Sequence, residues 1–253
     1  MRMSDPIRDI AGRLPCAAEF FEVAGRFAFV FTPVERPSSG SLPWMWYAPT
    51  LQRYHPREGN TWMFQQFLEH GMAIAGVDVG ESYGNPQGRK LYSALYNALR
   101  RAHGASERAV LLPQSRGGLM LYNWATENPR CVACIAGIFP VCDMRSYPGL
   151  ETACGAYGMS KDELAAVLAE HNPVERLAPL AEAGVPIMHV HGDNDAPVPL
   201  GPNSGELAQR YGELGGRMEL LVVPGKGHET IPEFFQCQRL VEFVLAHVRP
   251  EEA

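Results

Sequence analysis

Short apolar runs and helix-periodic segments alternate along almost the whole chain. Ala18 to Val23 and Arg26 to Phe31 read as two strands, with Gly25 at the turn of a hairpin. Pro33, Pro37, Ser38, Ser39, Gly40 and Ser41 then have the composition of a loop. Trp44 to Ala48 is a compact apolar strand stopped by Pro49. Thr61 is placed to cap a helix through Trp62, Phe64, Phe67 and Leu68, which Gly71 ends. Met72 to Val79 is the next strand, followed by the glycine-rich turn Gly80-Glu81-Ser82-Tyr83-Gly84 and a helix over Arg89 to Ala102.

The alternation continues downstream. Ala109 to Pro113 predicts a strand, Ser115 to Glu127 a helix, and Val132 to Phe139 a strand. A mostly polar insertion around 143–183 carries one clear helix near Lys161 to Glu170. After it come a strand over Val185 to Val190, a helix over Ser204 to Leu214, a strand over Met218 to Val223 and a last helix over Glu233 to His247. Strands alternating with helices predict an α/β fold: a mostly parallel twisted sheet with helices on both faces. The opening hairpin is expected to form its antiparallel edge. No internal repeat or second domain is evident, so residues 1–253 read as one domain with a small cap insertion.

Composition narrows the function classes. A net charge of −6 without a basic stripe argues against nucleic acid as a partner. No run is long enough to span a bilayer, and charges are scattered through the opening Met1-Arg2-Met3-Ser4-Asp5-Pro6, so the chain reads as soluble and cytoplasmic. Cys131 and Cys134 have the spacing of a redox or zinc pair, but no second pair follows. Their odd offset on a pleat sends them to opposite faces, and a core role is the better reading.

The candidate chemistry begins at Val110-Leu111-Leu112-Pro113-Gln114-Ser115-Arg116-Gly117-Gly118, where an apolar strand runs into a serine and two glycines open a helix. A tight strand-to-helix turn exposes the hydroxyl at a fixed angle and points the next backbone N–H at the same spot. Gly117 permits close approach of helix and strand. The competing reading is that Ser115 simply caps the helix. Two later strand ends can complete a triad. His191-Gly192-Asp193-Asn194-Asp195-Ala196-Pro197-Val198-Pro199 offers an acid, and Pro224-Gly225-Lys226-Gly227-His228-Glu229 offers a single histidine. Loops at the carboxyl ends of parallel strands share one edge, so the three segments can converge. His189 and His191 alternate along one strand and read as structural. Trp44, Trp46 and Trp62 read as packing residues.

With these segments in order, the whole chain resembles the α/β-hydrolase fold, in the branch related to dienelactone hydrolases and prolyl-oligopeptidase-type esterases. The resemblance implies a triad of Ser115, Asp195 and His228, with Asp193 and Asp143 as competitors for the acid. Asn203-Ser204 before a helix is also similar to that branch. The family elbow begins with glycine; Pro113 departs from it and implies altered packing at the strand end. The resemblance further implies an oxyanion hole from the N–H of Arg116 and of Thr50 or Leu51, and places Tyr83 and His55 as substrate-binding candidates. The Arg116 side chain has two readings: assistance to the oxyanion or an acidic sugar, or an ion pair elsewhere. The implied activity is hydrolysis of small-molecule carboxylic esters through an acyl-enzyme, with no metal or organic cofactor. Small acyl groups on sugar-like alcohols are the implied substrates. The alternatives are a peptidase or acyltransferase using the same triad, or a catalytically silent scaffold that binds a ligand.

Overall fold

The computed structural model describes residues 6–35, 40–52 and 55–248. The opening five residues, and Pro37, Ser38 and Ser39 of the expected loop, lie outside them. The described elements in chain order are α1 (Pro6–Ala11), β1 (Cys16–Val23), β2 (Arg26–Pro33), β3 (Trp44–Ala48), α2 (Thr61–Glu69), β4 (Ala73–Val77), α3 (Pro86–Ala102), β5 (Ala109–Pro113), α4 (Gly117–Glu127), β6 (Val132–Ile138), α5 (Leu150–Tyr157), α6 (Lys161–Ala166), α7 (Ala178–Glu182), β7 (Ile187–Gly192), α8 (Glu206–Glu213), β8 (Met218–Val223), α9 (Pro232–Phe235) and α10 (Gln238–His247).

The strands form a single sheet in the order β1-β2-β4-β3-β5-β6-β7-β8. The hairpin β1–β2 runs antiparallel on one edge, and β4 through β8 are parallel, as the pattern predicts. Strands β3 to β7 are buried throughout; β3 to β6 accordingly read as unbroken apolar runs rather than as alternating ones, while β7 also buries His189 and His191. Alternation still sorts their side chains. Trp44 and Trp46 of β3 join the core under α3, α4 and α8, while Met45 and Tyr47 join the core under α1, α2 and α10. Trp46 packs 4.7 Å from Trp124 of α4 and 5.2 Å from Tyr92 of α3. Cys131 and Cys134 also fall on opposite sides, Cys131 in the turn before β6 and Cys134 inside it.

Several boundaries differ from the sequence reading for local reasons. Asn60, not Thr61, precedes the first residue of α2. Helix α3 starts earlier, at Pro86, because the Asn85 side chain accepts from the Gly88 N–H and caps it. The insertion holds α5 as well as α6; α5 lies between Gly149 and Gly158 and contains Gly155, so it is too short to show a period. The helix expected over Lys161 to Glu170 ends at Ala166 in a tighter turn. The last helix breaks at Gln236-Cys237 into α9 and α10. The cap packs Ala153 and Leu164 onto Leu119, Val141 and Val198, beside the carboxyl ends of β5, β6 and β7. Among the described residues no helix is long and apolar enough to cross a membrane.

Candidate active site

Strand β5 ends at Pro113, and the chain turns at Ser115 with φ +50°, a left-handed conformation that costs a non-glycine residue about 1–2 kcal/mol. Its neighbours hold it there. Ser115 N–H donates to Ile138 O (3.1 Å), and Ser115 O accepts from Gly118 N (2.9 Å) and Val141 N (2.8 Å). A Cβ on Gly117 would lie 2.1 Å from Ala48 O, so glycine is what lets α4 start against the end of β3. Pro113 fits because it falls in a gap. The β5–β6 pairing stops at Leu111↔Ile135 and returns only as the bridge Gln114↔Ile138. Gln114 N–H points to β3, donating to Ala48 O at 2.7 Å, so the missing proline N–H faces that gap.

Helix capping is not the role of Ser115. Arg116 occupies the cap position of α4 without a side-chain bond, and Ser115 Oγ lies 2.9 Å from His228 Nε2. His228 Nδ1 lies 2.7 Å from Asp195 Oδ2. Its ring packs 4.2 Å from that of Phe139, a residue also at positive φ (+34°). The loop carrying His228 crosses the end of β7 where a Cβ on Gly192 would meet Lys226 O at 2.1 Å. Asp193, the competing acid, accepts from Gly225 N–H at 2.6 Å and so braces that loop rather than the imidazole. Asp143 is taken up by Asn172 (2.8 Å) and Arg145 (3.2 Å).

Asp195 is buried. Burial pushes its carboxyl up, but donors from His191, His228 and the Val198 N–H (2.8 Å to Oδ1) outweigh that and hold it at about 2. A carboxylate bonded to Nδ1 fixes the histidine with Nε2 bare toward the serine, the tautomer a general base needs.

A cavity of about 180 Å³ opens over Ser115, and Pro49, His55, Arg57, Gln114, Phe139 and Thr230 are among its walls. His55 lines it as expected. Burial and the nearby Arg57 and Arg116 charges lower its imidazole to about 4. Neither Thr50 nor Leu51 is among the cavity walls, and for Leu51 the expected oxyanion donor is corrected. Leu51 and His55 pair as a short antiparallel bridge that spends the Leu51 N–H on His55 O (3.3 Å). Thr50 is buried, and its hydroxyl donates to Tyr47 O at 3.4 Å. Because the loop folds back on itself, it presents Pro49 and His55 instead. The backbone N–H of Arg116 has no partner among the described residues. The Arg116 guanidinium pairs with Glu81 at 2.5 Å, which matches the ion-pair reading. Tyr83 is not among the walls of this cavity; it packs with the cap, where its carbonyl accepts from Tyr157 OH at 2.9 Å. Phe139, Arg57 and Thr230 were not singled out in the sequence; a phenylalanine ending an apolar strand carries no signal that it will turn into a site. A larger hollow of about 590 Å³ lies at the amino ends of β5, β7 and β8, lined by Arg108, Pro186 and Arg217 among others. That is the end of a parallel sheet away from which ligands bind.

Known proteins bear on this geometry. Residues 83–249 match the model of the prolyl oligopeptidase family, Peptidase_S9. The acylaminoacyl peptidase of Pyrococcus horikoshii superposes with a TM-score of 0.74 at 16% identity, covering 99% of this chain and 45% of that one. Dipeptidyl peptidase 4 of Porphyromonas gingivalis gives 0.73 at 15% identity, covering 92% and 36%. Est1E from Butyrivibrio proteoclasticus gives 0.66 at 15% identity over 91% of this chain and 98% of its own. The chain thus spans less than half the length of each of the two peptidases. No curated protein matches it. At these identities the superpositions speak for the α/β-hydrolase fold alone, while the family model covers most of the chain, including Ser115, Asp195 and His228: the chain belongs to the prolyl oligopeptidase family.

Proposed function

We propose that this chain is a serine hydrolase that cleaves carboxylic esters through an acyl-enzyme. The observation that supports it most is the linked geometry Ser115 Oγ–His228 Nε2 (2.9 Å) and His228 Nδ1–Asp195 Oδ2 (2.7 Å) at the floor of a cavity. His228 takes the Ser115 proton at Nε2 while Oγ attacks the ester carbonyl. The imidazolium that forms is stabilised by Asp195. The unspent Arg116 N–H is the donor we assign to the oxyanion. The tetrahedral intermediate collapses, the C–O bond to the alcohol breaks, and His228 returns its proton to the leaving alkoxide. Water, deprotonated by the same Nε2, then releases the acid and restores Ser115. The small cavity favours small acyl groups, with the alcohol, of which sugar-like alcohols are our choice, left outside it.

Family membership and the peptidase neighbours favour a second reading, cleavage of an acyl–amino acid or peptide bond by the same steps. Hydrolysis of p-nitrophenyl acetate and butyrate, compared with an acylaminoacyl p-nitroanilide, separates the two. Ester turnover that collapses in Ser115→Ala, with the anilide uncleaved, is expected. Faster cleavage of the anilide would replace the esterase reading by the peptidase one, and equal ester turnover in wild type and Ser115→Ala would remove both.

A further inference from the structure

Beside Asp195 lies a line of buried polar groups that the reaction above does not use. Tyr122 OH is 2.6 Å from His189 Nε2, and His189 Nδ1 is 2.9 Å from Ser204 Oγ. Ser204 Oγ is 2.7 Å from His191 Nδ1, and His191 Nε2 is 2.8 Å from Val198 O and 3.5 Å from Asp195 Oδ2. All four polar side chains are fully buried. His189 has room for its ring because its neighbour on β6 is Gly137, where a Cβ would sit 2.5 Å from the imidazole.

Satisfiability fixes every proton in this line. A carbonyl only accepts, so His191 Nε2 carries a proton for Val198 O. At the far end the Tyr122 hydroxyl has no other partner among the described residues, so it must donate to His189 Nε2. His189 Nδ1 is then the protonated nitrogen and donates to Ser204. Ser204 gives its one proton to His191 Nδ1. Both ends dictate the same direction, and no donor is left over.

The line ends on the acid. Val198 is gripped twice: its carbonyl accepts from His191, and its N–H donates to Asp195 Oδ1. With Oδ1 so occupied, Oδ2 is the oxygen left to face His228. We infer that His191, with its tautomer set by the Tyr122–His189–Ser204 line, is a positioning residue for Asp195, fixing which carboxylate oxygen meets His228. This rests on the triad reading of Ser115, His228 and Asp195. It also gives Ser204 a task; Asn203 beside it holds the loop after β6, accepting from Cys142 N–H (2.8 Å) and Asp143 N–H (3.1 Å).

The test is a double-mutant cycle on His191→Leu and Asp195→Ala, read by p-nitrophenyl acetate kinetics and by the rate of fluorophosphonate labelling, with thermal melting as the folding control. His191→Leu is expected to lower kcat and labelling about 10- to 100-fold with KM within about twofold, because a small misplacement of a reacting group costs that much. In the Asp195→Ala background the same substitution should change the rate by less than about twofold. His191→Gln, which keeps a donor near Val198 O, should recover most of the rate. Should His191→Leu not fold, Ser204→Ala replaces it in the cycle, with a loss of about three- to tenfold expected. A loss of equal size in both backgrounds, or none in either, overturns the inference while leaving the Ser115 nucleophile intact. A wild type that does not label overturns the nucleophile reading, and the inference with it.

Discussion

Two histidines approach Asp195, and each lies between that carboxylate and a serine. His228 spans Ser115 and Asp195 Oδ2; His191 spans Ser204 and the Asp195–Val198 turn. The residue types are the same, yet the surroundings differ in every respect that matters for turnover. His228 sits on a loop and its side chain keeps 22% of its exposure, whereas the His191 side chain has none. Ser115 opens on a cavity, and its neighbour Arg116 has a free N–H. Ser204 is sealed in the core. A Ser–His–Asp arrangement therefore becomes an active site only where the serine meets substrate and an oxyanion donor. The buried copy can hold protons in place but has nothing to hand them to.

The largest effect expected from this contrast is on the serines. Ser115→Ala should cut p-nitrophenyl acetate turnover by about 10⁵-fold or more, while Ser204→Ala should cut it by about three- to tenfold. Peptide mass mapping after fluorophosphonate treatment should place the adduct on Ser115; an adduct on Ser204 would break the comparison. Asp195→Asn comes next, at about 10⁴-fold in the general triad case, since the amide favours the wrong His228 tautomer. Steady-state kcat is the measure, and an unchanged kcat would return the acid role to Asp193. Gly192→Ala acts on one histidine alone. Its Cβ would run into Lys226 O at 2.1 Å and displace the His228 loop, for an expected loss of about 10²-fold in kcat.

Acid unfolding sharpens the other half. Burial, then the neighbouring His191, lowers the His189 imidazole from 6.5 to about 3. The unfolded chain therefore takes up this proton first, so the contribution is complete above pH 6.5 and is lost as pH falls from 6.5 toward 3. The Asp195 carboxyl is lowered from 3.8 to about 2, so its contribution is present above 3.8 and lost between 3.8 and 2. Urea midpoints against pH should fall in the upper window for wild type and fall less steeply there in His189→Gln, where His55 still contributes; equal slopes would mean that His189 is not held neutral. The smallest effect is assigned to Arg116→Ala. Its half-exposed pair with Glu81 contributes about 1 kcal/mol or less, and the backbone N–H survives the substitution. Turnover of neutral esters should stay within about threefold, and a selective loss on acidic esters would restore the side chain to the site.

Much of this was legible in the order of residues. Ser115, Asp195 and His228 stand at the ends of apolar runs, and parallel strands deliver their carboxyl ends to one edge whatever the side chains nearby. The oxyanion loop was not legible, because the bridge between Leu51 and His55 depends on how the loop returns across the sheet and leaves no period behind. The packing of Tyr83 with the cap was not legible either, because the cap is built from α5 and α6, elements too short to announce their packing.

The sequence alone determined the sheet, its antiparallel edge, the strand-to-helix turn at Ser115 and the order of the triad. Those follow from local hydrophobic period and from glycine where backbones touch. Tertiary structure decided between Asp193 and Asp195 as the partner of His228, sent Arg116 to Glu81, and set one histidine against a serine at a cavity and the other against a serine in the core. Such choices turn on burial and on which donor finds which acceptor across 13 to 113 residues of chain, as from His191 to Ser204 and from Ser115 to His228, and only the folded chain brings those groups within hydrogen-bond reach.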